Sequence, residues 1–499
     1  MNALLLSSVV LVCGADDPPK PKVPVGKETT HVTGPLDKHG YIDYEVALNE
    51  RLKKGVTPDT NANALLWQAF GPTPEGGRGM PAEYFKQLGI PEPPKDGDYF
   101  IGGFRFRTHA GLDDEEGRAF DDDQSRAARR PWTAKDYPRV AEWLKANEKP
   151  LAVVVEATRR PAYFNPLASV REDGASSNVI ACLLPNVQKC RELAAALTAR
   201  AMLKLADGKP EEAWADLLAC HRLGRHLMRG GTLIETLVGI AVRAVANNAT
   251  LAYLERADLT SQQLLARLKE LQALLPAPPM ADKIDLCERL ACLDSLQLVR
   301  SGRHAAPNKP PTDEQLRALD AIDWEPAFRK ANKLYDRMAA AMRLSARADR
   351  QKELGAIEKE LDELVKKNRK ADDLRKQLFA GDPGQAIGGE IGDVLLALMV
   401  PAVRKVQGSE DRAAQLDHNL HIAFALAAYH KDNGRYPAKL ADLAPKYLAA
   451  VPGDLFSGKV LVYKRPEKGY TCYSVGVNGK DDNGQTYGDD PPGDDLGLA

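Results

Sequence analysis

Residues 391–437 read IGDVLLALMVPAVRKVQGSEDRAAQLDHNLHIAFALAAYHKDNGRYP, and residues 447–497 read YLAAVPGDLFSGKVLVYKRPEKGYTCYSVGVNGKDDNGQTYGDDPPGDDLG. The first stretch predicts one long, interrupted apolar helix that stops at a Tyr436-Pro437 turn, since proline cannot continue a helix and restrains the residue before it. The apolar run Val394 to Val403 is shorter than a bilayer span and is flanked by Asp393 and broken by Pro401. The second stretch ends in a tail that carries six aspartates and one lysine from Tyr473 onward, interleaved with glycines. Upstream, Gly381 to Gly392 (GDPGQAIGGEIG) breaks helix formation, and residues 381–390 are expected as a Gly-rich linker.

Further back the pattern is strongly helical. Leu193, Leu197, Ala201 and Leu205 keep a three- and four-residue spacing, the turn ADGKPEEA follows, and Ala213, Leu217, Leu218 and Leu227 resume it. Leu233 to Glu255 is apolar almost all round until Asn247 and Asn248, which places it at a bundle centre, and Asp258 to Leu275 is amphipathic and stopped by Pro276. Residues 181–380 are thus expected as a helical domain, a bundle or hairpin stack. Its last part is highly charged, with Leu354, Ile357, Leu361 and Leu364 forming a stripe too short for a coiled coil, so a solvated helix lying on its neighbours is expected. Residues 61–180 read as an irregular mixed, helix-leaning region, with strand-like runs at Tyr99–Ile101 and Leu151–Val155 and one helix, YPRVAEWLKANEKP, ended by Pro150.

At 499 residues the chain exceeds one ordinary core, so several domains are expected. Lys plus Arg number 68 against 69 for Asp plus Glu, which provides no global field for nucleic acid, and none is expected as partner. Ala3 to Val12 is an apolar run followed by Cys13-Gly14-Ala15 and acid, the shape of a signal peptide over residues 1–15, although the leading segment has no Lys or Arg. A buried first strand is the competing reading, and a lipid anchor on Cys13 ranks behind export because Val12 is bulky. Residues 16–60 are Pro- and Lys-rich and read as a tether. The remaining cysteines, Cys182, Cys190, Cys220, Cys287, Cys292 and Cys472, show no CxxC or zinc spacing and mostly sit among apolar helical residues, as buried thiols.

No nucleophile elbow, phosphate-binding glycine loop or HExxH helix is present, which lowers the expectation of catalysis without excluding it. His418 and His421 lie one turn apart beside Asp417 and could share a metal, but exposed histidines are the simpler reading; His221 and His226, five apart, point to different faces. Arg222, Arg225 and Arg229 form a basic stripe that could grip a carboxylate, against a salt-bridged surface with Glu211, Glu212 and Asp216 as partners. Asp113 to Glu116 and Asp121 to Asp123 look like paired carboxylates, yet without an apolar frame they read as a solvated loop.

The tail differs in kind. Hard cations such as calcium take six to eight oxygens from carboxylates, amides and carbonyls, and glycine lets the backbone curl around the ion. The spacing is not that of an EF-hand; a disordered acidic tail is the competing reading. The order of long helix, Tyr-Pro turn and acidic loop resembles the major pseudopilin of type II secretion systems over about the last fifth of the chain. In that family S-x-G-x-D-G is followed by a glycine-rich stretch and D-D-I-G, which here are Ser474, Gly476, Asn478, Gly479 and then Asp494, Asp495, Leu496 and Gly497. The resemblance implies a long helix leading into a small antiparallel sheet closed by a calcium loop, with Asn478, Asp494 and Asp495 as ligands and Asp481 and Asp482 next. Asn478 stands where the family has an acid, and Asp489 to Pro492 lengthens the loop. The turn ADGKPEEA (206–213) and its flanks, about 191–224, resemble one tetratricopeptide-type hairpin at Ala201, Gly208 and Ala213.

The expected protein is mainly α and multidomain: a helical bundle or hairpin stack followed by a small α+β pseudopilin-like domain over 391–499. It is expected to be exported, periplasmic or in the cell envelope, without a transmembrane span in the mature chain. A binding or scaffold role toward a protein partner in the envelope leads over catalysis. The alternative is an envelope hydrolase with its site in 61–180.

Overall fold

The computed structural model describes residues 20–75, 79–169, 179–302, 311–367, 388–467 and 469–498. The expected signal segment with Cys13 lies outside the described residues, as do residues 381–387 of the expected linker.

The helical body forms where its punctuation says it should. Helices α8 (Pro185–Ala206) and α9 (Pro210–Leu227) each open on a proline, whose missing N–H would lack an intrahelical partner in any case, and Gly208 turns between them at φ +72°. Helix α10 (Leu233–Arg256) starts with a capping box between Thr232 and Glu235, and α11 (Ser261–Gln272) with one between Thr260 and Gln263. Each such cap contributes about 1 kcal/mol of helix stability. Leu193, Leu197, Ala201, Ala213, Leu217 and Leu227 are all fully buried, as their spacing requires. Helices α9 and α10 touch backbone to backbone: a Cβ on Gly224 would sit 3.0 Å from the Gly239 carbonyl oxygen, and one on Gly239 2.8 Å from that of Gly224.

Among the described residues, α10 is the one helix long and apolar enough to cross a membrane by composition, and half of its apolar window is buried in the protein. The sequence pattern predicts burial all round, but Ile234, Leu237 and Val245 are exposed along one face while Arg243 is buried on another.

Residues 61–169 are more regular than expected. They form α2 (Ala62–Phe70), α3 (Ala82–Leu88), α4 (Gly103–His109), α5 (Asp114–Ala127), α6 (Pro138–Ala146) and α7 (Glu148–Ala157). The helix expected to end at Pro150 is in fact two. The break falls at Asn147, and Pro150 sits in the first turn of α7, where a proline removes no hydrogen bond; Leu151–Val155 is therefore helix and not strand.

Residues 20–60 do not behave as a tether. They carry α1 (Tyr44–Lys53) and bury Val23, Val32, Ile42, Tyr44 and Leu48. The Gln297 side chain exchanges two 3.0 Å hydrogen bonds with the Ile42 backbone, and Asn332 Nδ2 donates to the Thr29 carbonyl at 2.6 Å. The proline and lysine content hid these apolar anchors, which join a second core with α12 (Met280–Lys283), α13 (Arg289–Arg300), α14 (Asp313–Asp320) and α15 (Glu325–Met342). Helix α16 (Arg347–Lys367) lies against α15 and the next helix through buried Leu354, Ile357 and Leu361.

Helix α17 (Gly388–Asn433) begins inside the expected linker and packs against α10, α11, α15 and α16. Phe424 stacks edge-on against Trp214 of α9 at 5.8 Å, so the C-terminal unit shares the body's main core rather than standing apart. Beyond the Tyr436-Pro437 turn a three-stranded antiparallel sheet forms from β1 (Val462–Lys464), β2 (Thr471–Ser474) and β3 (Leu496–Gly497), in that order. Val462 faces Tyr473, and Ser474 faces Leu496. The molecule is thus mainly helical with one small sheet near its C-terminus, and the acidic loop is the connection between β2 and β3.

Candidate metal centre

The loop from Val475 to Asp495 is held at its base by Asp454, a residue outside the expected ligand set. This buried carboxylate accepts from Phe456 N at 2.9 Å and Ser474 Oγ at 2.8 Å through one oxygen, and from Ser457 Oγ at 2.9 Å and Val475 N at 3.2 Å through the other. Its signal was present in Pro452-Gly453-Asp454 followed by Ser457-Gly458, an Asx-type turn. From α17, Asn419 Nδ2 donates to the Leu496 carbonyl at 2.8 Å, and Gln415 accepts from Leu455 N at 2.7 Å. Gly476, at φ +66°, lets the backbone pass Asp494: a Cβ there would lie 2.1 Å from the Asp494 carbonyl oxygen.

This frame brings Asp482, Asp494 and Asp495 together, with one carboxylate oxygen of each within 4.8 Å of the others. Among the described residues it is the one cluster of His, Cys, Asp and Glu donors close enough to share an ion. Asp494 is 7% exposed and Asp495 fully buried. One oxygen of each is satisfied: Asp494 Oδ2 accepts from Asn478 N at 2.9 Å, and Asp495 Oδ2 from Gly484 N at 2.7 Å. The Oδ1 atoms of both are buried without any hydrogen-bond donor. No Lys or Arg among the described residues forms an ion pair with any of the three. Burial, with Asp482 and Asp481 adding to it, raises the pKa of Asp495 above the ordinary carboxylate value.

The other two expected ligands are placed differently. Asn478 lies beside the cluster, but its Nδ2 donates to Asp482 Oδ2 at 3.0 Å and its Oδ1 already accepts from Lys480 N at 2.6 Å. Asp481 turns away to accept from Tyr473 OH at 2.8 Å and Asn483 N at 2.9 Å, and these bonds lower its pKa.

Many of the other titratable groups singled out in the sequence are engaged by the fold. Asp417 on α17 accepts from Arg225 at 2.5 Å, Arg243 at 2.6 Å and Asn247 at 3.1 Å, which ties the C-terminal helix to α9 and α10. His418 and His421 are not on an exposed stem. Both are half-buried, and burial pushes the pKa of His421 down to about 4. His221 and His226 are buried and bond Thr250 Oγ1 at 2.9 Å and the Thr158 carbonyl at 3.0 Å. Asp113 and Glu116 form the capping box of α5, Asp121 pairs with Arg107 at 2.7 Å, and Asp123 lies 3.6 Å from Arg126. Cys190, Cys220, Cys287, Cys292 and Cys472 are buried thiols, each with its pKa raised by burial.

No family model, no curated protein and no solved structure matches this chain.

Proposed function

We propose that this is an exported binding or scaffold protein whose C-terminal unit is a pseudopilin-like head closed by calcium and docked on a helical body. The observation that carries the reading is the pair of buried, donor-less Oδ1 atoms on Asp494 and Asp495 beside Asp482. Carboxylate charge taken out of water is costly unless it is paired or coordinates a metal. A hard cation with oxygen ligands fits this donor set, and no sulfur or imidazole is among the clustered groups. Asp482, Asp494 and Asp495 would hold the ion. Its chemistry would be structural: it would neutralise the three carboxylates and pin the β2–β3 connection against the sheet. The order of helix, Tyr-Pro turn, small antiparallel sheet and acidic loop supports the pseudopilin likeness at the level of architecture. A docked, calcium-locked head presents a fixed surface to an envelope partner, which is the sense in which a scaffold role follows.

The test is a calcium titration into chelator-stripped full-length protein, followed by thermal unfolding. A saturable rise in melting temperature is expected, with magnesium a poor substitute because it demands near-ideal octahedral geometry. A melting curve indifferent to calcium would sink the metal reading. Export is tested separately by the N-terminus of the protein recovered from its host, expected at or near Asp16; an intact Met1 in mature protein would remove it.

A further inference from the structure

The loop after α7 and the C-terminal turns of α9 and α11 enclose a cleft of about 290 Å3. Its lining combines the basic Arg159, Arg160 and Arg222 with the apolar Pro161, Leu274 and Leu275. The acids nearest in sequence to the arginine stripe do not neutralise it. Glu211 pairs with Arg267, Glu212 with Lys204 at 3.8 Å, and Asp216 with Arg200 at 2.6 Å and Lys204 at 3.0 Å. Arg225, also at the cleft, is closed by Asp417. Glu270, which also lines the cleft, is engaged by Trp214 Nε1 at 2.6 Å and Arg267 at 3.5 Å.

Arg159 pairs with Glu156 at 3.0 Å, which leaves two guanidinium groups at the cleft. Arg160 donates to the backbone carbonyls of Pro58 at 2.7 Å and Asn61 at 3.0 Å, which fix its position without cancelling its charge. Arg222 is half-buried and makes no ion pair or hydrogen bond with any described residue. Burial, then the neighbouring Arg159, push its pKa down, against the opposing pull of Glu270. The C-terminal ends of α9 and α11 each bring roughly half a negative charge near the cleft, yet they give the Arg222 donors no acceptor to bond.

We propose that this cleft binds a small organic oxyanion, a carboxylate or a phosphate monoester carrying a short apolar group, gripped by Arg222 and the pre-positioned Arg160. A planar guanidinium matches either oxyanion with two parallel hydrogen bonds, and such charge-assisted pairs strengthen where water is partly excluded. Pro161, Leu274 and Leu275 cover the apolar part of the ligand. The site is separate from the acidic loop and stands whether or not that loop takes calcium.

The experiment uses the full chain in calcium-free buffer at fixed ionic strength. Phenyl phosphate and butyrate are titrated separately, with sodium chloride as the control, and binding is read by calorimetry and by the shift in melting temperature. Wild type is expected to show saturable binding to at least one of the two; phenyl phosphate alone assigns the phosphate class, butyrate alone the carboxylate class. Arg222→Gln breaks no bond in the fold and should weaken that binding at least tenfold while leaving the protein folded. Arg222→Lys keeps the charge but loses the planar fork and should also weaken it several-fold. No saturable response to either probe beyond the chloride control, or wild-type affinity in Arg222→Gln, overturns the proposal.

Discussion

Two of the regions that hold carboxylates away from water do so in opposite ways. At the junction of α17 with α9 and α10, Asp417 meets Arg225, Arg243 and Asn247, so the protein supplies its own cations and donors. In the β2–β3 loop, Asp482, Asp494 and Asp495 converge with no cation among the described residues, and two oxygens have no donor at all. In the first, both oxygens of Asp417 have partners as folded, while Arg243 Nε and Asn247 Oδ1 stay unpaired. In the second, one oxygen each of Asp494 and Asp495 has no partner among the described residues. The difference lies in which elements meet: the helices bring arginines from distant parts of the chain, whereas the loop folds on itself and its own composition is acidic.

The largest effect should come from breaking the self-sufficient region. Asp417→Ala leaves two arginines desolvated and without their shared carboxylate, and stability should fall by about 3–5 kcal/mol, measured by denaturant unfolding of the full chain. A loss below about 1 kcal/mol would mean that the junction is too wet or mobile to need its acid.

The loop should behave in the reverse sense. Asp494→Asn combined with Asp495→Asn removes two buried negative charges, so the calcium-free protein should lose nothing or gain stability. At calcium a hundredfold above its dissociation constant, wild type should gain about 2.7 kcal/mol by linkage, and the double variant close to none. Equal calcium responses in the two proteins would dissolve the contrast between the regions.

Acidity separates them by sign, with the smallest effect. Burial raises the pKa of Asp417, but Arg243 and Arg225 outweigh it and hold the value below the usual one. Its contribution is therefore present above the ordinary carboxylate pKa and is lost as pH falls through the depressed folded value. For Asp495 the folded pKa is raised, so its contribution is present below the ordinary value and is lost as pH rises through the folded one. In calcium-free protein, acidification from neutrality should first protect amides around Gly484, then, further down, expose those around Asp417 in hydrogen exchange. Loosening of both regions together would contradict the opposite shifts.

Much of the helical body was legible. The spacing of Leu193, Leu197 and Ala201, the capping pairs at Thr232 and Thr260 and the prolines at 185 and 210 are local signals, and they mark α8 to α11 within a few residues. The clustered acids of the tail were also legible as a group, because a Gly- and Asp-rich loop has few other ways to be useful. Its division was not. Whether Asp481 joins Asp482 or turns to Tyr473 depends on the strand register that puts Tyr473 opposite Gly497. For Asp454 only the local turn to Phe456 and Ser457 was legible, because its other partners, Ser474 at the end of β2 and Val475 just beyond it, are distant in the chain.

The sequence by itself determined where helices begin and stop, because caps, prolines and apolar periodicity act over a few residues. It also determined that the tail carries more negative charge than it can neutralise. Only the tertiary structure decided that residues 20–60 are packed, that α17 is docked on the body, and that Arg225 is closed by Asp417 while Arg222 stays open to a cleft. Those outcomes depend on contacts between residues up to hundreds of positions apart, such as Ile42 with Gln297 and Arg225 with Asp417. Pairing across such distances is set by how the helices stack, and no local pattern in the chain encodes which charge will find a partner.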